Sequence, residues 1–327
     1  MSAKLRWGVL STGHIAHKFA LGVGATESSE IQAVGSRNQD KADAFGDEFD
    51  IPRRYGSYEA LVADANIDAI YVATPHPMHA ENTILCLRGG KAVLCEKPFA
   101  VNAALAGQMI DTARQKSLFL MEAMWSRFLP PIRKAKELVD AGEIGELRMI
   151  TADFGFRGKW DPASRLLNPN LAGGGLLDVG IYPISLSSMF FGKARSVASQ
   201  AHIGETGVDE QAGIVVKYDA GCISVITTGI RTQTPMEAWL LGTEGRIHLH
   251  GPWWRGNPLT LMVNGKETET IAPPMEGNGY NYEIDEVARC IAAGRTESDI
   301  MPLDETLSIV TLLDEIRAQW GLKYPME

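Results

Sequence analysis

The chain has 327 residues, of which 45% are apolar and 22% charged, with a formal net charge of -9. That length suits two domains with a core each, and the composition is that of an ordinary globular protein. The acidic balance is spread along the chain and argues against nucleic acid or an anionic membrane as a partner, since both call for a basic surface.

Up to about residue 124, short apolar runs alternate with helical ones. LRWGVL (5–10), IQAVGS (31–36), DAIYVAT (68–74), KAVLCE (91–96) and LFLMEA (118–123) read as strands. A helix follows the first strand, and others are expected at 39–49, 57–63, 78–88 and 102–116. Fully apolar strands separated by helices predict βαβ units and a parallel sheet buried on both faces. After a helix near 131–141, LRMITADFGF (147–156) opens a strand series interrupted by a helix over 174–191. Strands resume at about 195–203, 210–218, 222–230, 237–242, 245–250, 259–263 and 267–272, the last two flanking the hairpin signal Asn264-Gly265. Short turns between successive strands favour a largely antiparallel sheet. Helices near 280–293 and 304–320 close the chain.

The expected fold is α/β: a doubly wound Rossmann domain over residues 1–124, then an α+β domain over 125–327 with a large, mostly antiparallel open sheet. Helices can cover one face of that sheet. The open second face predicts a homodimer, or a dimer of dimers, formed through it.

Three strand ends carry the chemistry-bearing residues of the first half. Ser11-Thr12-Gly13-His14-Ile15-Ala16 is a degraded G-x-G-x-x-G turn, with serine in the first slot and alanine in the last. Its central glycine would let a pyrophosphate approach the backbone, and the following helix would offer free N–H groups to that anion. Alone, the turn also fits a tight βα connection with no ligand. The second strand ends Gly35-Ser36-Arg37-Asn38, where an NAD site usually carries an acid for the ribose hydroxyls. Ser36 and Arg37 can hold a 2′-phosphate and Lys41 can add charge, which points to NADP(H) as the preferred cofactor with NAD(H) possible; the other reading of Arg37 is a solvated charge. Further strand ends give Thr74-Pro75, followed by His76 and His79, and Glu96-Lys97-Pro98. Residues at the carboxyl edge of a parallel sheet line the crevice where ligands bind.

In the second half, GGGLLDVGIYPI (173–184) puts Asp178 and Tyr182 four positions apart on one helical face, among apolar neighbours. The pair is either chemical machinery or a buried structural hydrogen bond.

With STGHIA, VATPHPMH, EKP and GGGLLDVGIYP in this order across both halves, the chain resembles the Gfo/Idh/MocA oxidoreductases. MEAMWSRFLP, ADFGF and LLDVGIYPI are most similar to the subgroup acting on dihydrodiols and D-xylose. Two departures are His76, where asparagine is common in the family, and Tyr182, where many members carry histidine. The resemblance implies hydride transfer between nicotinamide and a small polyhydroxylated or cyclic substrate. Lys97, Asp178 and Tyr182 would surround the reacting carbinol, with Trp125 and Phe154 as aromatic walls. It also implies cofactor contacts from Ser11, Thr12, Gly13, His14, Ile15, Ser36, Arg37, Lys41, Thr74, Pro75, His79, Glu96 and Lys97, and a cis Lys97–Pro98 bond.

The chemistry fits those residue types. A phenol with a pKa of about 10 is a poor base at neutral pH. An ammonium at ~4 Å in a partly shielded site interacts with it by about 4 kcal/mol, so Lys97 would acidify Tyr182, with desolvation opposing. An unassisted Asp178 would do the reverse, and its expected task is to hold Lys97 or a substrate hydroxyl. A non-catalytic dinucleotide-binding regulator is the alternative function.

Weaker signals complete the reading. His76, His79 and Cys86 lack zinc-site spacing, and no metal is expected. Trp253-Trp254 reads as packing, with pocket wall or oligomer contact as the alternatives, while one of Arg157, Trp160 and Arg165, on a loop before the glycines, is a candidate for substrate contact. Cysteines 86, 95, 222 and 290 read as reduced thiols of a cytoplasmic protein. No secretory signal is expected before MSAKLRWGVLSTG, and no apolar run approaches the ~20 uninterrupted residues of a transmembrane helix.

Overall fold

Strands with no polar side must be covered on both faces, and the first half of the chain is built that way. A computed structural model describes residues 4–327. It contains β1 (Leu5–Leu10), α1 (His14–Val23), β2 (Ser29–Gly35), α2 (Gln39–Glu48), β3 (Arg53–Tyr55), α3 (Tyr58–Val62), β4 (Ala69–Val72), α4 (His79–Arg88), β5 (Ala92–Glu96), α5 (Ala103–Lys116) and β6 (Leu120–Ala123). The six strands form one parallel sheet in the order β3-β2-β1-β4-β5-β6, with every residue of β4, β5 and β6 buried. The order reverses beside β1, which puts the carboxyl ends of β1 and β4 at the topological switch point. The edge strand β3 was not expected from the sequence, because three residues are too few to show a period.

The second half contains α6 (Pro130–Asp140), β7 (Leu147–Gly155), a π-helical turn at Leu176–Gly180, α7 (Ile181–Phe191), β8 (Ser196–Ile203), β9 (Asp209–Lys217), β10 (Ile223–Gly229), β11 (Ala238–Gly242), β12 (Gly245–Leu249), β13 (Leu259–Val263), β14 (Glu269–Ile271), α8 (Tyr280–Ala292) and α9 (Leu303–Gln319). Its eight-stranded sheet runs β14-β13-β12-β11-β7-β10-β9-β8. Only the β7–β10 pair is parallel; the other pairs are antiparallel, as short connections require.

The chain divides into two compact units. One comprises the residues up to Trp125 together with Glu276–Leu307; the other comprises Ser126–Met275 and Ser308–Glu327. Thus α8, which chain order counts with the second half, packs with the first: it contacts α1 and β2, and Ser28 Oγ donates to Asp285 Oδ1 at 2.5 Å.

In the second unit, α7 packs on β7 and β10, and alternate residues of β9 and β10 are buried on that side. The opposite face carries an exposed apolar patch beside polar residues such as Gln211, Lys217 and Thr227. Register aligns Val215, Val225, Thr151 and Trp239 across four strands, and Met149, Val215 and Val225 are 37%, 43% and 38% exposed. All four cysteines are free and buried. The helical run Pro169–Phe191 has the length and mean hydropathy of a membrane span, but polar residues such as Asp178 interrupt it and 83% of its apolar window is buried inside the fold, as a core helix requires.

Candidate active site

The first unit gathers the dinucleotide-type residues at the carboxyl edge of its sheet. Ser11 adopts φ 90°, the left-handed conformation for which the motif ordinarily carries glycine, and its N–H donates to Gly35 O at 2.9 Å. Gly13 then caps α1 without any side-chain hydrogen bond, and a Cβ built on it would meet nothing within 4 Å. Open space over an uncapped helix N-terminus is the cradle a pyrophosphate requires, so the turn fits a dinucleotide. Ile15 is half-buried here and His14 exposed. His17, which sequence reasoning passed over, steadies the turn: its Nδ1 lies 2.9 Å from Gly13 O and its Nε2 3.1 Å from Glu48.

Beyond β2, Ser36 is buried, whereas Arg37 and Lys41 are exposed. The Lys41 amide is spent on the Asn38 cap of α2, which leaves its ammonium free of that cap. Tyr58 of α3 is a second residue sequence reasoning missed. Burial pushes its phenol up, and the Arg37 charge, with hydrogen bonds to Ser11 and Arg37, pulls it back. The phenol therefore lies beside both the first turn and the end of β2.

The ends of β4 and β5 are braced together. His79 is buried, with Nδ1 2.8 Å from Pro98 O and Nε2 2.8 Å from Thr74 O. Two carbonyls can be satisfied at once only when both ring nitrogens carry hydrogen. The Lys97–Pro98 bond is cis, as expected. Glu96 points inward: Oε1 accepts a short hydrogen bond from the buried Tyr71 hydroxyl, and Oε2 accepts from Lys97 N at 3.1 Å. The EKP tripeptide is thus anchored through its acid, while Lys97 is only half-buried. Thr74 is buried, Pro75 is half-buried, and Trp125 stacks on Tyr280 with ring centroids 5.0 Å apart.

The second unit holds the acid and the phenol. The expected single helix over 174–191 is two pieces, a π-helical turn carrying Asp178 and the α-helix α7 carrying Tyr182. Widening the turn places residues four apart closer to one line than an α-helix does, and such turns recur at functional sites. Both side chains are largely buried, at 7% exposure each. Asp178 Oδ1 accepts from Arg165 Nη1 at 2.7 Å, so of the three loop candidates Arg165 reaches the acid. Arg231 contacts Trp160 instead, its guanidinium 5.0 Å from the ring. The Tyr182 ring lies 5.3 Å from Phe154 and 6.2 Å from Trp254, and Phe154 and Trp254 stack on each other. Trp254 is therefore an aromatic neighbour of the phenol as well as a packed, buried residue. Below the pair, the buried Arg127 donates from Nε to Ser185 Oγ and from Nη2 to Ser185 O, both at 2.7 Å, and fixes α7 one turn past Tyr182.

Comparison with known proteins agrees with this layout. Residues 5–124 match the family described as "Oxidoreductase family, NAD-binding Rossmann fold", and residues 132–248 match the "GFO/IDH/MocA C-terminal domain". The chain is 40% identical to the trans-1,2-dihydrobenzene-1,2-diol dehydrogenase of Mus musculus and 37% identical to that of Homo sapiens, in each case over 99% of both chains. A 3-ketoreductase from Actinomadura kijaniata, solved with NADP and TDP-benzene, is 26% identical with a TM-score of 0.86, covering 97% of this chain and 98% of that one. The aldose-aldose oxidoreductase of Caulobacter crescentus shares the fold, with a TM-score of 0.89 over 98% of both chains at 24% identity.

Proposed function

Because the chain belongs to the Gfo/Idh/MocA oxidoreductases and is a nicotinamide-dependent dehydrogenase of CH–OH groups, we propose that it uses NADP(H) to interconvert a secondary alcohol and its carbonyl. The substrate class is a small, uncharged polyhydroxylated or cyclic molecule of the trans-dihydrodiol or D-xylose type. That choice is supported by the names of the relatives and by the aromatic pair Phe154 and Trp254 beside Tyr182, which suits the apolar face of a ring.

When bound, NADP(H) supplies the hydride acceptor or donor. Backbone groups of Ser11, Thr12, Gly13, His14 and Ile15 hold the pyrophosphate at the start of α1. Ser36, Arg37 and Lys41 receive the 2′-phosphate, with Tyr58 orienting Arg37. Thr74, Pro75, His79 and Glu96 shape and brace the nicotinamide end. Tyr182 Oη takes the carbinol proton during oxidation and returns it during reduction. The Lys97 ammonium stabilises the phenolate, and Asp178, paired with Arg165, orients a substrate hydroxyl. Trp125 and Phe154 act as substrate walls.

The observation that carries this reading is the buried Asp178–Tyr182 helix, with Arg165 on the acid and two aromatic rings on the phenol. A panel of aldoses, polyols and dihydrodiols followed by NADPH absorbance finds the substrate. Tyr182→Phe then lowers kcat by about 100- to 10,000-fold, the usual worth of general acid–base catalysis, with NADPH affinity preserved. A phenylalanine variant retaining most of the activity overturns the assignment.

The exposed apolar side chains of Met149, Val215 and Val225 support the same sheet face as the contact with a second copy in a homodimer. Sedimentation of Val225→Asp tests it: the variant runs as a monomer where the parent runs as a dimer. Four free buried thiols support a cytoplasmic setting.

A further inference from the structure

The three glycines ahead of Asp178 sit where side chains have no room. A Cβ on Gly173 would stand 2.7 Å from Leu166 O and 2.8 Å from Arg165 O. Gly174 has φ 114°, and a Cβ there would fall on Asp209 Oδ1. Asp209 opens β9 and is fully buried. Its Oδ2 accepts from Leu176 N, the first residue of the π-helical turn, at 2.6 Å, while Oδ1 has no hydrogen-bond partner among the described residues. From the other side the Tyr324 hydroxyl donates to Gly173 O at 2.8 Å, and Thr228 Oγ1 donates to Gly175 O at 3.4 Å. The start of the helix is thus held at 173, 175 and 176.

A buried carboxylate is costly, and a neutral side chain would cap one amide as well. Its presence at this spot calls for a reason beyond packing. An anion at a helix N-terminus interacts favourably with the helix dipole and makes a short, strong bond to a backbone N–H. Here that bond is two residues before Asp178 and six before Tyr182.

We propose that Asp209 is a positioning residue for Asp178 and Tyr182, its carboxylate fixing the seat of the π-helical turn that presents them. The inference rests on the catalytic reading of that pair. It extends to pH: burial pushes the Asp209 carboxyl up to about 7, against the opposing pull of backbone hydrogen bonds and of Arg317. The ionisable groups facing it are the Arg317 guanidinium of α9 and the Tyr324 phenol of the C-terminal segment. Glu327 and Asp314 pair with Arg317 behind them, and β10 contributes the neutral Thr228 hydroxyl. The seat therefore changes charge near neutrality, and a displacement on the order of 1 Å in the groups it carries can cost about 100-fold in rate.

The test compares the full-length parent, Asp209→Asn, Asp209→Ala and Tyr182→Phe with NADP+ and the best substrate of the panel. The parent kcat rises as pH increases through about 7, and near-ultraviolet circular dichroism from the Phe154, Tyr182 and Trp254 cluster changes over the same interval. Asp209→Asn keeps the shape and the acceptor; it loses about 3- to 10-fold in kcat, and both transitions vanish. Asp209→Ala loses about 30- to 100-fold in kcat, with the Kd for NADPH within about twofold of the parent. These ranges follow from a displacement of up to about 1 Å. Parent-like kcat and pH profiles in Asp209→Asn, or no transition near neutrality in the parent, overturn the proposal even if Asp209→Ala fails to fold. If instead Tyr182→Phe stays active, the catalytic reading fails, which is a separate result.

Discussion

Replacing Asp209 by asparagine has a thermodynamic consequence whose sign and window follow from its burial. An acid whose folded pKa is raised gives stability that is fully present below its unfolded value and is lost as pH climbs to the folded value. For Asp209 the window runs from 3.8 to about 7. At about 1.4 kcal/mol per pH unit, the protein loses at most roughly 4 kcal/mol across it. Asparagine does not titrate, so the variant escapes this loss. Its amide hydrogens face the position of the unpartnered Oδ1, and leaving them unmet costs about 1–3 kcal/mol at every pH. The variant is therefore less stable than the parent near pH 4 and of equal or greater stability above pH 7.5. The assay is the urea midpoint of both proteins at half-unit steps from pH 4.5 to 8.5. The difference must change steadily up to about pH 7 and then flatten. Parallel curves would refute the claim that Asp209 carries a raised carboxyl in the folded state.

Two further outcomes are expected. Arg37→Ala raises the Kd for NADPH by about 10- to 100-fold, as loss of charge-assisted hydrogen bonds to a phosphate implies, and leaves the NADH Kd within about twofold, both read by fluorescence titration; equal losses for the two cofactors would return Arg37 to a solvated charge. Glu283 of α8 is fully buried, neither carboxyl oxygen has a hydrogen-bond partner among the described residues, and burial together with the nearby Glu96 pushes its carboxyl well up. Glu283→Gln keeps the shape and removes the titration, so its Tm gains on the parent as pH rises from 4.5 toward 8; a gain independent of pH rejects the raised carboxyl.

Most of this architecture was legible because its signals are local. Apolar runs bounded by helices give β1, β4, β5 and β6 within a few residues, and Asn264-Gly265 locates the last hairpin between β13 and β14. The turn at Ser11, the EKP tripeptide and the Asp178–Tyr182 spacing are short words that can be read without knowing the fold. What escaped is set by long-range pairing. Arg165 reaches Asp178 from a loop 13 residues earlier, and Asp209 reaches Leu176 from 33 residues later. Neither has a period or a motif to announce it. Tyr58 looks like an ordinary residue of a short amphipathic helix until Ser11 and Arg37 come beside it. Trp254 read as packing because nothing in its turn reveals that Phe154 stacks against it. The π-helical turn was hidden for a different reason: one extra residue per turn barely disturbs an apolar pattern that is buried on every side.

The nucleotide-type unit is discontinuous. Trp125 stacks on Tyr280, Leu120 N donates to Thr296 O, and Asn278 Nδ2 donates to Lys18 O, each joining residues more than 150 positions apart. A ribosome that has released only the first 125 residues has therefore made a sheet that still lacks α8, its cover over α1. This half of the molecule completes its packing only after residues 276–307 have emerged. An excised fragment would need residues 276–307 grafted back before it could serve as a free-standing nucleotide binder.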